Sequence, residues 1–205
     1  MSETPTDPTF FSDRYGMTIP FDGVPLSEQR EWIVELEDLG YTDVWSAEAN
    51  GADAFTPLAL GAAWEPRLRL CTAIVPAYTR APACMAQSVA SMADAAPGRF
   101  AIGIGSSSNV IVERWNGVPF EEPYKKVRDI VRFLKDALSG EKIKHTYDTF
   151  EVNGFVIDKR QVSAHGVDAA PLDPVPMLVF SPGAYSVSVK TAISFSDGVR
   201  VLADT

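Results

Sequence analysis

Hydrophobic and polar positions along this chain alternate between two periods. Met17–Phe21, Asp43–Ala47, Arg69–Val75, Phe100–Ile104 and Met177–Phe180 are short, dense apolar runs of the kind that form buried strands. Between them, apolar residues recur three and four positions apart, which places them on one helix face. Ser27–Leu39 carries Trp32, Ile33, Leu36 and Leu39 on such a stripe, and Pro82–Ala95 carries Met85, Val89 and Met92. Pro123–Leu138 is the longest, with Val127, Ile130, Val131, Leu134 and Leu138 in register, and Gly140 stops it. A shorter helix is predicted to Trp64, opened by Thr56 as N-cap and Pro57 at the first helical position. Ser27 reads as the N-cap of its own helix, with Gly40 just past the end.

The alternation breaks at His145–Ile157. There Thr146–Val152 and Phe155–Ile157 are expected to pair as a hairpin across Asn153-Gly154, a favoured two-residue turn. Gln161–Pro176 reads as a loop. A helix from about Tyr185 to Phe195 and a strand at Gly198–Ala203 then resume the pattern. Dense strands separated by helices define an α/β chain with a parallel sheet. An open doubly wound sheet and most of a (β/α)8 barrel both fit this periodicity. At 205 residues the chain is near the ~200 that a complete barrel needs. Residues 1–14 lack periodicity and are expected to form a flexible tail, leaving 15–205 as one domain.

Composition narrows the function classes. Hydrophobic residues make up 46% of the chain, too many for disorder, and two Cys cannot build a disulfide scaffold. Lys and Arg number 18 against 27 Asp and Glu, a net charge of −9 that disfavours nucleic-acid partners. No apolar run approaches the ~18 residues of a membrane span, and Met1–Pro8 lacks a signal-peptide pattern. Cys71 and Cys84 read as buried free thiols of a cytoplasmic protein.

Candidate chemistry clusters after the strands, where parallel α/β architectures gather their sites. Gly103-Ile104-Gly105-Ser106-Ser107-Ser108 lacks the last small residue of a dinucleotide fingerprint. It reads either as a loop holding an anion or cofactor, or as a polar turn. Ser181-Pro182-Gly183, between a strand and a helix, reads as a phosphate loop or a plain connection. Glu48 and Asp22 each follow a strand, as substrate-orienting carboxylates or as exposed loop acids, and Glu113 and Trp115 lie in a helix or lid. There is no G-x-S-x-G elbow, and His145 with His165 cannot supply a multi-His metal centre. Redox chemistry on a bound organic cofactor is the better expectation.

Several motifs in order resemble the bacterial luciferase-like oxidoreductases. They are Thr18-Ile19-Pro20-Phe21-Asp22-Gly23, Asp43-Val44-Trp45 with Glu48, and Gly51-Ala52-Asp53-Ala54-Phe55-Thr56-Pro57. The likeness continues through Thr72–Pro82 and Gly98–Gly105. It is sharpest at Ser106–Ser108 with Val112–Phe120, which resembles the branch using the deazaflavin coenzyme F420 rather than FMN. The resemblance implies a (β/α)8 barrel with the coenzyme ring across the C-terminal strand ends. It also implies a bulge at Ala73 and Ile74 that backs the ring, often with a cis peptide between them. Gly105, Ser106, Ser107, Ser181, Pro182 and Gly183 would hold the coenzyme's tail and phosphate, with Glu48 facing the ring. Asp22, Tyr78 and Trp115 would line the substrate pocket.

Ser108 stands where alcohol- and sugar-phosphate-oxidising members place a proton-donating Glu, so the substrate type stays open. Relative to the family the chain is expected to lack about two βα units and to carry the hairpin as an insertion. The activity implied is hydride transfer between coenzyme F420 and a small organic substrate. An FMN-dependent monooxygenase and a non-catalytic shortened barrel that binds a flavin-like ligand or a partner chain are the alternatives. A barrel stopping after six strands would expose edges at Met17–Phe21 and Gly198–Ala203, so an identical subunit or a complementary chain is expected to cover them.

Overall fold

The computed structural model describes residues 15–157, together with the backbone of 177–180 and 193–194. Strands β1 (Gly16–Thr18), β2 (Asp43–Ser46), β3 (Arg69–Thr72), β5 (Phe100–Gly105) and β8 (Met177–Phe180) pair side by side, all parallel, in that order. A short β4 (Val75–Pro76) continues β3 along β5. Helices α1 (Arg30–Asp38), α2 (Phe55–Trp64), α3 (Pro82–Ala95) and α4 (Pro123–Ser139) fill the connections. The strand order never reverses, so there is no switch point of the doubly wound kind and the winding is that of a barrel.

The third strand is interrupted where the sequence suggested a bulge. Cys71 faces Ala101 and Val75 faces Ile104, so four steps on β3–β4 oppose three on β5. One residue is extra, and the Ala73–Ile74 peptide in that stretch is cis, as is Ile19–Pro20. Across the interruption the buried Thr72 hydroxyl stands in for a main-chain partner. It donates to the Gly103 carbonyl at 2.9 Å and accepts the Gly103 N–H at 2.7 Å.

Behind the sheet, α2, α3 and α4 bury Leu58, Met85, Val89, Ile130 and Leu134 against Leu70, Ile102 and Ile104. Phe133, absent from the expected stripe, is fully buried and meets Tyr147, Phe150 and Phe155 of the hairpin region. Asp129 ties the same two elements, accepting the Thr149 N–H (3.0 Å) and hydroxyl (3.1 Å). On α1 only Ile33 and Leu36 of the predicted stripe are buried; Trp32 and Leu39 are exposed, Trp32 leaning on Phe21. Cys71 is buried as expected, but Cys84 is exposed, because α3 turns Met85 and Ala86 rather than its neighbour to the core.

Other local expectations are corrected. Helix α1 starts after a 3-10 turn at Leu26–Glu28, so Ser27 is not its cap. The buried Gln29 side chain pins the entry instead, bonding Phe21 N (3.0 Å) and Val24 O (2.8 Å). At α2 the capping oxygens belong to Asp53, which accepts from Phe55 N and Thr56 N, so Thr56 and Pro57 lie inside the helix. The hairpin pairs β6 (Ile143–Thr146) with β7 (Glu151–Phe155) and turns at Tyr147–Phe150, closed by a 2.8 Å bond from Tyr147 N to Phe150 O. Asn153-Gly154 lies inside β7, where the register slips and Gly154 takes φ +86°. A bulge and a tight turn both use positive φ, so the dipeptide alone does not separate them.

Finally, β9 (Ile193–Ser194) runs antiparallel to β8 within the stretch expected to be helical. Ile193-Ser194-Phe195 also fits a period of two, which the helical reading ignored. The 1–14 tail, the 161–176 loop and the 198–203 strand lie outside the described residues. No helix among the described residues is long and apolar enough to cross a membrane.

Thr72→Val keeps the shape but leaves the Gly103 N–H and carbonyl buried without a partner. It should destabilise the fold by about 1–3 kcal/mol, read as a lower urea midpoint at unchanged slope.

Candidate functional site

At the C-terminal strand ends a few main-chain bonds bring the candidate residues together. Ala73 N donates to Ser46 O (2.8 Å), Glu48 N to Ile74 O (3.0 Å) and Ala77 N to Gly105 O (2.9 Å). The loop after β2, the bulge after β3 and the end of β5 are thereby fixed to one another. The contact between the last two is close enough to favour glycine. A Cβ on Gly105 would lie 3.2 Å from Ile74 Cδ1 and 3.4 Å from two further Ile74 carbons. Glu48, Ala73, Ile74 and Gly105 thus form one continuous surface, on which Ala73 is exposed and Ile74 half-buried.

The loop that follows is shaped by serines. Ser106 is buried, and its hydroxyl reaches only the Ser107 carbonyl, at 3.4 Å. Ser107 sits at φ +63°, a left-handed conformation costing a non-glycine residue about 1–2 kcal/mol. Ser108 Oγ accepts the Ile111 N–H (3.4 Å) and opens a π-helical turn, Val110–Trp115.

Glu48 is the most constrained carboxylate of this surface. Its Oε1 accepts from Arg80 Nη2 (2.6 Å) and Nε (3.2 Å), while its Oε2 is buried with no partner among the described residues. Arg80 Nη2 also donates to Asp53 Oδ2 (3.2 Å), and the guanidinium lies 4.8 Å from the Phe55 ring centroid. Burial pulls the Arg80 pKa down, but its bond to Glu48 and the charges of Glu48 and Asp53 outweigh that and leave it raised. Ser46 Oγ and Thr79 Oγ1 are likewise buried without a partner among the described residues. Buried polar atoms normally find partners, so three orphaned acceptors or donors on neighbouring loops suit a polar ligand. A flavin-like ring, apolar on its faces and polar at its edge, fits such a surface.

The other candidates lie further out. Asp22 is exposed on the turn after β1, and Trp115 is exposed on the π turn. Tyr78 is buried, donates its hydroxyl to Glu121 O (2.6 Å) and packs on Phe120. Ser181, Pro182 and Gly183 lie outside the described residues. Sequence reasoning missed Arg80, Ser46 and Thr79 as site residues. The signal for Arg80 was a cation placed just before the Pro82 that opens α3, close to no acid in sequence. A separate cleft of about 360 Å³ lies between Tyr41, Arg67, Arg69 and Arg99 at the opposite, N-terminal ends of the strands.

The chain matches the luciferase-like monooxygenase family across residues 8–201 and belongs to it. A provisionally named coenzyme F420-dependent oxidoreductase of Mycobacterium tuberculosis is 30% identical over 129 residues, covering 62% of this chain and 37% of that protein. The coenzyme F420-dependent tetrahydromethanopterin reductase of Methanopyrus kandleri superposes with a TM-score of 0.66 at 18% identity, covering 81% of this chain and 49% of that one. The oxygenating constituent of 3,6-diketocamphane monooxygenase from Pseudomonas putida, solved with FMN, superposes with a TM-score of 0.64 at 14% identity, covering 81% and 51%. At these identities the two structures speak for the fold, an α/β parallel sheet of the barrel type. The chain spans between a third and about half the length of the relatives it matches.

Burial, then the charges of Glu122 and Glu121, push the Tyr78 phenol up to about 12. An unfolded tyrosine titrates near ~10, so the folded state keeps this proton longer. The stability it contributes is complete below pH ~10 and is lost as the pH rises toward 12. Tyr78→Phe should cost about 1 kcal/mol at neutral pH and flatten this alkaline decline, measured by urea unfolding at stepped pH.

Proposed function

We propose that this chain is the coenzyme-binding part of an oxidoreductase that transfers a hydride between coenzyme F420 and a small organic substrate. The observation that carries the reading is the joined surface of Glu48, Ala73, Ile74 and Gly105, edged by buried polar atoms with no protein partner. The F420-dependent name of the Mycobacterium tuberculosis relative supports the choice of coenzyme. The bound deazaflavin supplies the carbon that gives or takes the hydride. Ala73 and Ile74 back the ring, and Gly105 lets Ile74 lie close enough to do so. Ser106 and Ser107 turn hydroxyls and backbone toward the coenzyme's polar tail. Ser181, Pro182 and Gly183 complete that tail site in this reading. Glu48 orients the reacting partners, and Asp22, Tyr78 and Trp115 border the substrate space.

FMN is the second reading, favoured by the fold shared with the FMN-bound Pseudomonas putida monooxygenase. Among the described residues β1 pairs only with β2, so its free edge is where we place a second subunit. Light scattering should accordingly give more than one chain per particle.

Titration with each coenzyme, followed by fluorescence, should give tighter binding of coenzyme F420 than of FMN. The reverse order would move the assignment to the monooxygenase branch. Replacing Ser106 and Ser107 together with Ala should weaken coenzyme binding by about 1–3 kcal/mol, the value of two lost hydrogen bonds. Unchanged affinity would reduce the loop to a connection.

A further inference from the structure

We infer that Arg80 is a positioning residue, which grips one oxygen of Glu48 so that the other is presented as a hydrogen-bond acceptor to an N–H or O–H of the bound coenzyme. This rests on the coenzyme-binding reading above and adds to it the device that aims the carboxylate.

The geometry separates this pair from an ordinary structural ion pair. An arginine that only neutralises a carboxylate commonly meets it fork to fork, one donor on each oxygen. Here Nε and Nη2 both fall on Glu48 Oε1, at 3.2 and 2.6 Å, and Oε2 receives nothing from the described residues. The two side chains are only 21% and 17% exposed, so the unpartnered oxygen is shielded from bulk water and carries a desolvation penalty. A donor arriving on a ligand relieves it.

The guanidinium is held on its other sides as well. Asp53 Oδ2 accepts from Nη2 at 3.2 Å, and the Phe55 ring supports the plane at 4.8 Å. Asp53 is in turn fixed by the first N–H groups of α2, those of Phe55 and Thr56. On the Glu48 side, the backbone N–H is tied to the Ile74 carbonyl. An unbroken series of bonds thus runs from the start of α2 through Asp53 and Arg80 to Glu48, whose own backbone is tied to the bulge. Residues placed for a ligand in this way are expected to be unsatisfied in its absence, and their removal need not destabilise the fold.

The test uses the whole chain with coenzyme F420 and FMN as probes. Arg80→Gln and Glu48→Gln should each weaken binding of the preferred coenzyme about tenfold or more, and Arg80→Lys should recover part of the loss. The double variant should bind no more weakly than either single one, because both act on the same oxygen. Ligand-free Glu48→Gln should melt at or above the temperature of the unmodified chain. A fall of about 4 °C or more would make the pair a structural staple and overturn the inference. Unchanged affinity in Arg80→Gln, or losses that multiply in the double variant, would overturn it while leaving the functional reading intact. An unmodified chain that binds neither coenzyme would overturn both.

Discussion

One extra residue in the third strand governs how the upper end of this molecule is built. A parallel ladder that loses its register leaves buried N–H and C=O groups, and these cannot stay unpaired. The Thr72 hydroxyl meets that demand at Gly103, so β5 continues as if the strand beside it were unbroken. The interruption is thereby confined to Ala73 and Ile74, and Ile74 is free to lie over Gly105. The joined part of the candidate site hangs on this arrangement, since Ser46 and Glu48 are tied to the bulge and Ala77 to the end of β5.

The electrostatics of the two ends of the sheet differ accordingly. At the N-terminal ends, arginines and carboxylates satisfy one another: Arg69 pairs with Asp43 at 2.6 Å, and Arg67 pairs with Glu37 and Glu65. The Glu65 carboxyl is held below its usual range, chiefly by its hydrogen bond from Arg67. These ion pairs clamp the starts of the strands. At the C-terminal ends, Arg80 is shared between two acids, yet one oxygen of Glu48 receives nothing from the described residues. The proposed coenzyme site thus falls at the strand ends where this architecture ordinarily carries its chemistry.

The local misreadings share a cause. Ser27, Thr56 and Asn153-Gly154 are residues that several structures want, and the fold puts each to a use other than its commonest. The Gln29 side chain ties down the turn before α1, and Asp53 caps α2, because their side chains reach the free backbone groups from where tertiary packing put them. Gly154 supplied a bulge instead of a turn because the Phe133 cluster, with Tyr147 and Phe150, holds the true turn against α4. Trp32 and Leu39 lie at helical spacing from buried residues, but α1 meets the sheet along too narrow a stripe to cover them.

By itself the sequence determined the alternation of strands and helices, the parallel sheet and the gathering of candidate site residues after the strands. Those features follow from periodicity and from the positions of Gly, Pro and Ser, which act within a few residues. The interruption at Ala73–Ile74 and the candidate roles of Glu48 and Gly105 were legible through motif resemblance, because they are local too. Tertiary structure alone decided between barrel and doubly wound order, since strand order is set by packing between distant segments. It alone brought Arg80 to Glu48, 32 positions away in the chain, and left Oε2 without a partner among the described residues. An ion pair between loops leaves no periodic trace in sequence; it exists only once β2 and β3 lie side by side.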